Sequence, residues 1–153
     1  MKTDILILLG SDSDKEQFDE TGRYADYFGL SWSLEVISAH RNPEKLVDRL
    51  AKAESEGTEV LIACAGMAAH LAGACAAHSI LPVIGVPGAG STLGGLDALL
   101  STVQMPAGVP VATVAIGKAG ARNAVILAAQ IIARKRPEIQ DLLRTFKKAG
   151  ARL

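Results

Sequence analysis

Aromatic residues, cysteine and net charge are all scarce in this chain of 153 residues. One Trp, two Tyr and three Phe leave the core to aliphatic and small side chains. They also give no interleaved stacking platform for single-stranded nucleic acid. The two cysteines, Cys64 and Cys75, form no CxxC pair and are too few for a disulfide framework. Buried, reduced thiols are the expectation. Sixteen basic and sixteen acidic residues cancel, so no global field draws the chain to nucleic acid or to an anionic membrane. Gly, Pro and His interrupt the longest apolar runs, and none is long enough to span a bilayer. The segment from Met1 to Asp4 leads straight into a short apolar run without the features of a signal peptide. Together these absences predict a cytoplasmic protein with no nucleic-acid and no membrane partner. The three histidines and two cysteines fall in no ligand spacing, so no metal is expected.

Nearly half the residues are apolar, and Ala and Gly crowd the stretch from Cys64 to Gly95. The length suits one domain, 1–153, with one good core. Strand and helix signals alternate along it. Asp4–Leu9 reads as a buried parallel strand stopped by Gly10. Asp14 is placed to cap a helix running to about Phe28, with Gly29 as its stop. Ser31–Ile37 reads as the second strand. Asn42 and Pro43 then open a helix that carries Leu46, Val47, Leu50 and Ala53 on one face and ends at Gly57. Val60–Ala65 is the third strand, Ala68–Ser79 an Ala-rich helix and Pro82–Val86 the fourth strand. A glycine-rich loop, Pro87–Gly95, precedes a helix over Leu96–Val103. Val111–Ile116 is the fifth strand. Ala119–Arg136 is a long apolar helix, and Pro137 starts a final amphipathic one. Five strands alternating with helices predict an α/β three-layer sandwich. Its parallel sheet takes the flavodoxin-like order 2-1-3-4-5, with an extra C-terminal helix. The Ala119–Ala133 helix is apolar on nearly all sides, so one side should cover the sheet and the other should meet another subunit.

Charge is unevenly spread. Residues 1–76 hold 13 acids and 7 bases; residues 77–153 hold 3 acids and 9 bases. The basic excess reads either as a solvated helix face or as an ion-paired contact with an acidic neighbouring subunit.

Ligands of such sheets bind beyond the carboxyl ends of the strands. In a 2-1-3 arrangement three unusual loops should converge there: Gly10–Asp14, Ser38–Pro43 and Cys64–His70. The first reads as an anion site, with Ser11 and Ser13 hydroxyls and helix amides aimed at the pocket. Asp12 and Asp14 would repel phosphate, so one of them should serve otherwise, for example by holding a ribose hydroxyl. Arg41 is the natural cation for a phosphate, because its planar fork binds two oxygens. His40 beside it has an ordinary pKa near ~6.5, suited to proton transfer at neutral pH. His70 and His78, eight residues apart on an Ala-rich segment, read as core or interface histidines. The glycine-rich loop lacks the Walker lysine and follows the fourth strand, so it is no dinucleotide fingerprint. It reads as a mobile cover or as a tight turn.

The loops GSDSD (Gly10–Asp14), SAHR (Ser38–Arg41) and AAHL (Ala68–Leu71) resemble those of the class I N5-carboxyaminoimidazole ribonucleotide mutases of purine synthesis. So does the long stretch Leu99–Ala124. The resemblance implies a flavodoxin-like fold assembled as a homo-octamer, with the C-terminal helix reaching a neighbour. It implies that Ser11, Asp14 and Arg41 bind a phosphorylated aminoimidazole ribonucleotide, with Ser13, Gly66 and His70 as further substrate contacts. It implies that His40 is the general acid/base of a decarboxylation and recarboxylation that needs no cofactor. The chain departs from the family pattern at Cys64, Met67 and Ala72, at the segment from Pro87 to Ser91, and at Lys15. A sister class carboxylates aminoimidazole ribonucleotide with free CO2. It carries lysine where this chain has Arg41 and a GRSN-like loop in place of Gly66–Ala69, which favours the mutase. A receiver domain would need an aspartate ending the third strand, where Cys64 and Ala65 stand. A flavin-binding module of the same fold would be yellow when purified.

Overall fold

Ile5–Leu9 is an unbroken apolar pentapeptide, and it forms an interior strand, β1, buried along its whole length. The computed structural model describes residues 3–153; Met1 and Lys2 lie outside the described residues. Around β1 are laid β2 (Trp32–Val36), β3 (Val60–Ala65), β4 (Val83–Pro87) and β5 (Ala112–Thr113). All pairings are parallel, in the order β2-β1-β3-β4-β5. This is the flavodoxin-like arrangement that the alternation of signals predicts.

Period-two alternation divides β1 between two cores. Ile5, Ile7 and Leu9 face α1 (Thr21–Tyr27), α5 (Gly117–Ile132) and α6 (Pro137–Lys148). Leu6 and Leu8 face α2 (Pro43–Glu56) and α3 (Leu71–His78). The remaining helix, α4 (Leu96–Val103), closes on β4 from the α3 side. There Gly85 leaves room where a Cβ would lie 2.5 Å from Thr102 Cγ2 and 3.3 Å from Ala72 Cβ. Burying each Leu or Ile of these strands is worth roughly 1.5–3 kcal/mol, so the strands anchor the fold.

Several elements differ from their expected bounds for local reasons. The helix expected over Asp14–Phe28 divides into a 3-10 helix, Asp12–Phe18, and α1. Ser11, not Asp14, is the cap. Ser11 Oγ accepts from the Ser13 amide, and Asp14 reaches back to the Ser11 amide at 3.1 Å, a reciprocal capping box. At the break, Thr21 Oγ1 donates to the Phe18 carbonyl at 2.6 Å. Asn42 sits at the N-cap of α2 without a side-chain cap bond, and Pro43 opens the helix. Val47, expected on its buried face, is exposed. The helix α3 begins at Leu71 rather than Ala68, since Met67 adopts a left-handed φ of 53° and the Ala69 amide turns back to the Met67 carbonyl. At the sheet margin β5 keeps only two residues, with one strand neighbour to pair with. The residue before Pro137, Arg136, is extended, which separates α5 from α6.

One side of α5 is covered within the chain, while Ala119, Asn123 and Gln130 on the opposite side are exposed. Ala124, Val125 and Ala128 are buried in the core that α1 and α6 complete. Phe146 of α6 packs edge-on against Phe28 and Tyr24, with ring centroids 5.5 and 6.1 Å apart. Four large exposed apolar residues lie close together on and before α4, namely Leu93, Leu96, Leu100 and Val103; Trp32, Val47, Met67 and Ile80 are exposed elsewhere.

Much of the basic excess also finds in-chain partners. Lys118 meets Glu16 at 3.5 Å and Arg122 meets Glu20 at 3.3 Å. Arg136 binds Asp4 and, at 2.8 Å, Glu59. This joins the start of α6 to the amino ends of β1 and β3. Asp4 also accepts from the Ser31 amide and hydroxyl, both at 2.8 Å. Burial alone would raise the Asp4 carboxyl, but the hydrogen bonds from Arg136 and Ser31 outweigh it and hold it below its ordinary value. A depressed folded pKa adds stability that is full above the unfolded value and vanishes as pH falls through the folded one. Asp4→Asn should therefore cost about 1–3 kcal/mol at neutral pH. The gap from wild type should shrink under acid. Urea unfolding from pH 7 downward checks this: a gap that is absent at pH 7, or that widens in acid, contradicts it.

Candidate active site

The strand register creates the site. Leu9 pairs with both Val36 of β2 and Cys64 of β3, and Ala65 pairs with Pro87 of β4. The strands therefore end level, and the chain leaves them into loops along one edge. These loops surround an open cleft of about 500 Å³. Ser11, Ser13 and Asp14 line it from the first loop, His40 and Arg41 from the second, and Gly66 and His70 from the third. All seven positions expected from sequence thus share one cavity. Gly88 approaches so closely that a Cβ there would lie 3.0 Å from Gly66 N and Cα. Only glycine lets the segment after β4 reach the cleft at that level.

In the first loop the two acids part company. Asp12 is at the rim, paired with Lys15 at 2.6 Å. Asp14 is buried, and burial raises its carboxyl against the opposing hydrogen bonds from the Ser11 amide and Gln17. The Ser11 and Ser13 amides are spent on the capping box rather than free for an anion. What this loop leaves open to the cleft is its hydroxyls: Ser13 Oγ donates to Ser11 Oγ at 3.0 Å, and both side chains are exposed. Arg41 is exposed on the opposite lip, its amide held by Ser38 Oγ at 3.3 Å. Among the described residues no carboxylate pairs with its guanidinium. It stands ready for a negatively charged ligand.

His40 stacks on His70, with ring centroids 4.2 Å apart and planes at 26°. His70 opens α3 at its N-cap, which sets its ring against the second loop. Burial and then the charge of His40 lower the His70 pKa, which favours its neutral ring. His40 is exposed at the cleft. Neither thiol is a nucleophile. Burial, and then the Asp14 charge, push Cys64 far up, and burial pushes Cys75 up to about 12. Among the described residues, no group of three or more His, Cys, Asp or Glu is placed to hold a metal ion.

Of the further lining residues, Gln17 escaped the sequence reading, and Met67 was named there as part of the third loop and a departure from the family pattern. Gln17 donates from Nε2 to Asp14 Oδ1 at 3.3 Å and accepts the Ala89 amide at 3.0 Å. Its i,i+3 spacing from Asp14 was the one available signal. Met67, whose strained φ was noted above, is 65% exposed and lines the cleft. Its departure from the family pattern was the signal there.

A family model described as AIR carboxylase matches residues 4–152. The N5-carboxyaminoimidazole ribonucleotide mutase of Pseudomonas aeruginosa is 50% identical over 141 residues, covering 92% of this chain and 86% of that protein. The protein of the same name from Pyrococcus horikoshii is 51% identical over 142 residues, covering 93% and 79%. Among solved structures, Treponema denticola PurE superposes with a TM-score of 0.87 at 27% identity, covering 96% of this chain and 90% of that one.

Proposed function

Because the chain belongs to the AIR carboxylase family, we propose that it is an N5-carboxyaminoimidazole ribonucleotide mutase of purine synthesis. The reaction moves a carboxyl group from the exocyclic nitrogen to ring carbon C4. The observation that carries this reading is the His40–His70 stack, set in one cleft with Arg41 and the serine loop. Arg41, Ser11 and Ser13 hold the phosphate, and Asp14 takes a ribose hydroxyl. Gly66 and His70 contact the ring side of the substrate. His40 delivers a proton to the substrate, the N–C bond breaks and CO2 is held in the cleft. The electron pair at C4 attacks the CO2, and His40 then removes the C4 proton. Proton and carboxyl are both conserved across the cycle, so substrate and product are isomers. The ring supplies the electrons itself, so the chemistry calls for no metal or organic cofactor. What the protein adds is a proton carrier and a site that keeps water away from the CO2.

The second reading is the direct carboxylation of aminoimidazole ribonucleotide by free CO2. Arg41, and Met67-Ala68-Ala69 in place of a GRSN-like loop, favour the mutase. So does the name shared by the relatives. A receiver domain is disfavoured, because β3 ends in Cys64 and Ala65 rather than an aspartate. No helix of the described residues is long and apolar enough to cross a membrane, in keeping with work in the cytoplasm on a small phosphorylated metabolite. With carboxyl-labelled substrate in unlabelled bicarbonate, most label should reach C4, and added bicarbonate should not be required. Complete wash-out of label, with a faster reaction from aminoimidazole ribonucleotide plus bicarbonate, would establish the carboxylase instead.

The self-association expected as an octamer has its best support in α4. Leu93, Leu96, Leu100 and Val103 form an exposed apolar stripe at near-helical spacing, 44–65% accessible. A second copy of the chain is the partner it suits. Light scattering should give a multimer for wild type and a smaller species for Leu96→Asp/Leu100→Asp. A monomeric wild type at micromolar concentration would contradict this.

A further inference from the structure

The glycine-rich segment Pro87–Gly95 leaves β4 at the mouth of the cleft, and its two halves are held differently. The second half is closed locally. Ser91 Oγ donates to Asp97 at 2.6 Å and accepts from the Leu93 and Gly95 amides at 3.3 and 3.2 Å. The first half is tied to the cleft walls. The Gly88 amide donates to the Ala65 carbonyl at 2.8 Å, and the Ala89 amide donates to Gln17 Oε1 at 3.0 Å. Between the halves, Gly90 lines the cleft with open space around it.

Gln17 has a single workable orientation. Its carboxamide nitrogen faces an acceptor-only carboxylate and its oxygen faces a backbone N–H. The flipped amide would set acceptor against acceptor and donor against donor. The Asp14 charge polarises the amide and strengthens the bond to Ala89. The start of α5 backs this link. A Cβ at Gly117 would lie 3.2 Å from Ala89 Cβ and 3.6 Å from Gln17 Oε1.

We propose that Gln17 is a positioning residue that couples Asp14 to the glycine-rich segment, so that a bound nucleotide and a segment closed over the ring stabilise each other. The proposal rests on the mutase reading for its consequence, the retention of CO2. Its physical core is the link alone. A nucleotide hydroxyl on Asp14 fixes the carboxylate, which fixes the Gln17 amide, which holds Ala89. By linkage, holding Ala89 must improve nucleotide binding by the same factor.

Two substitutions separate the halves of the link. Gln17→Leu keeps the approximate size and removes both hydrogen bonds. Gln17→Glu keeps an acceptor for Ala89 but faces Asp14 with like charge. Gln17→Leu should raise KM roughly tenfold, the scale of a lost bond to a charged group. It should also lower carboxyl-label retention and abolish the slowing of Ala89 and Gly90 amide exchange by aminoimidazole ribonucleotide. Gln17→Glu should raise KM at least as much while keeping Ala89 protected without nucleotide. A Leu variant that matches wild type in KM, label retention and nucleotide-dependent exchange overturns the proposal. So does one that loses only thermal stability. If wild type itself shows no mutase turnover, the function reading fails; the exchange response to nucleotide then still decides for or against the link.

Discussion

The in-register parallel pairing of β1 with β2 and β3 is the constraint on which the site depends. With Leu9 level with Val36 and Cys64, His40 follows β2 closely enough to stack on His70, which lies six residues past Cys64. A slip of one residue would turn every buried side chain of β1 to the wrong core. Ile5 to Leu9 are apolar on both faces, so pattern alone does not forbid that slip. Size and the loops do. The Asp4 cluster with Ser31, Glu59 and Arg136 pins the amino end of the same three-strand unit. The protein thus fixes one end of β1 with charge and leaves the other end for chemistry.

At that other end the groups are sorted by exposure. Arg41 and the serine hydroxyls stand in solvent, where a charged ligand can exchange water for them at low cost. Asp14 is buried, where a carboxylate is useful only if its hydrogen bonds are satisfied, and Ser11 and Gln17 do this. Partial burial and the stack on His40 lower the His70 pKa and favour its neutral ring. The neutral ring then serves as a wall for its neighbour, an arrangement that suits the proton carrier proposed for His40.

Much of this was legible in the sequence because it is written in local signals. Gly29 and Gly57 stop helices with φ of 66° and 81°, Pro43 and Pro137 open them, and the alternation of apolar runs sets the layer order. The clustering of Ser11, Ser13, Asp14, His40, Arg41, Gly66 and His70 followed from topology. The rest depends on distance across the chain. Arg136 and Asp4 are 132 residues apart, and Gln17 and Ala89 are 72 apart. No local pattern announces such pairs, so the basic excess read as a solvated face or a subunit contact and Gln17 was not singled out. Likewise the apolar look of α5 did not reveal that α1 and α6 complete the core along one of its sides. Asp14 was misplaced as a cap because Asp at either position suits a helix start, and only the geometry of Ser11 separates them.

The central claim is that His40 alone carries the proton while its neighbours hold the nucleotide. His40→Asn tests it most directly, because the amide keeps a polar side chain of similar reach but cannot shuttle a proton at neutral pH. Turnover of N5-carboxyaminoimidazole ribonucleotide should fall by at least ~10²–10⁴-fold, the usual weight of a general acid/base. Calorimetric binding of aminoimidazole ribonucleotide should stay within a few-fold of wild type. Turnover near the wild-type rate, or binding lost in step with turnover, would contradict the assignment.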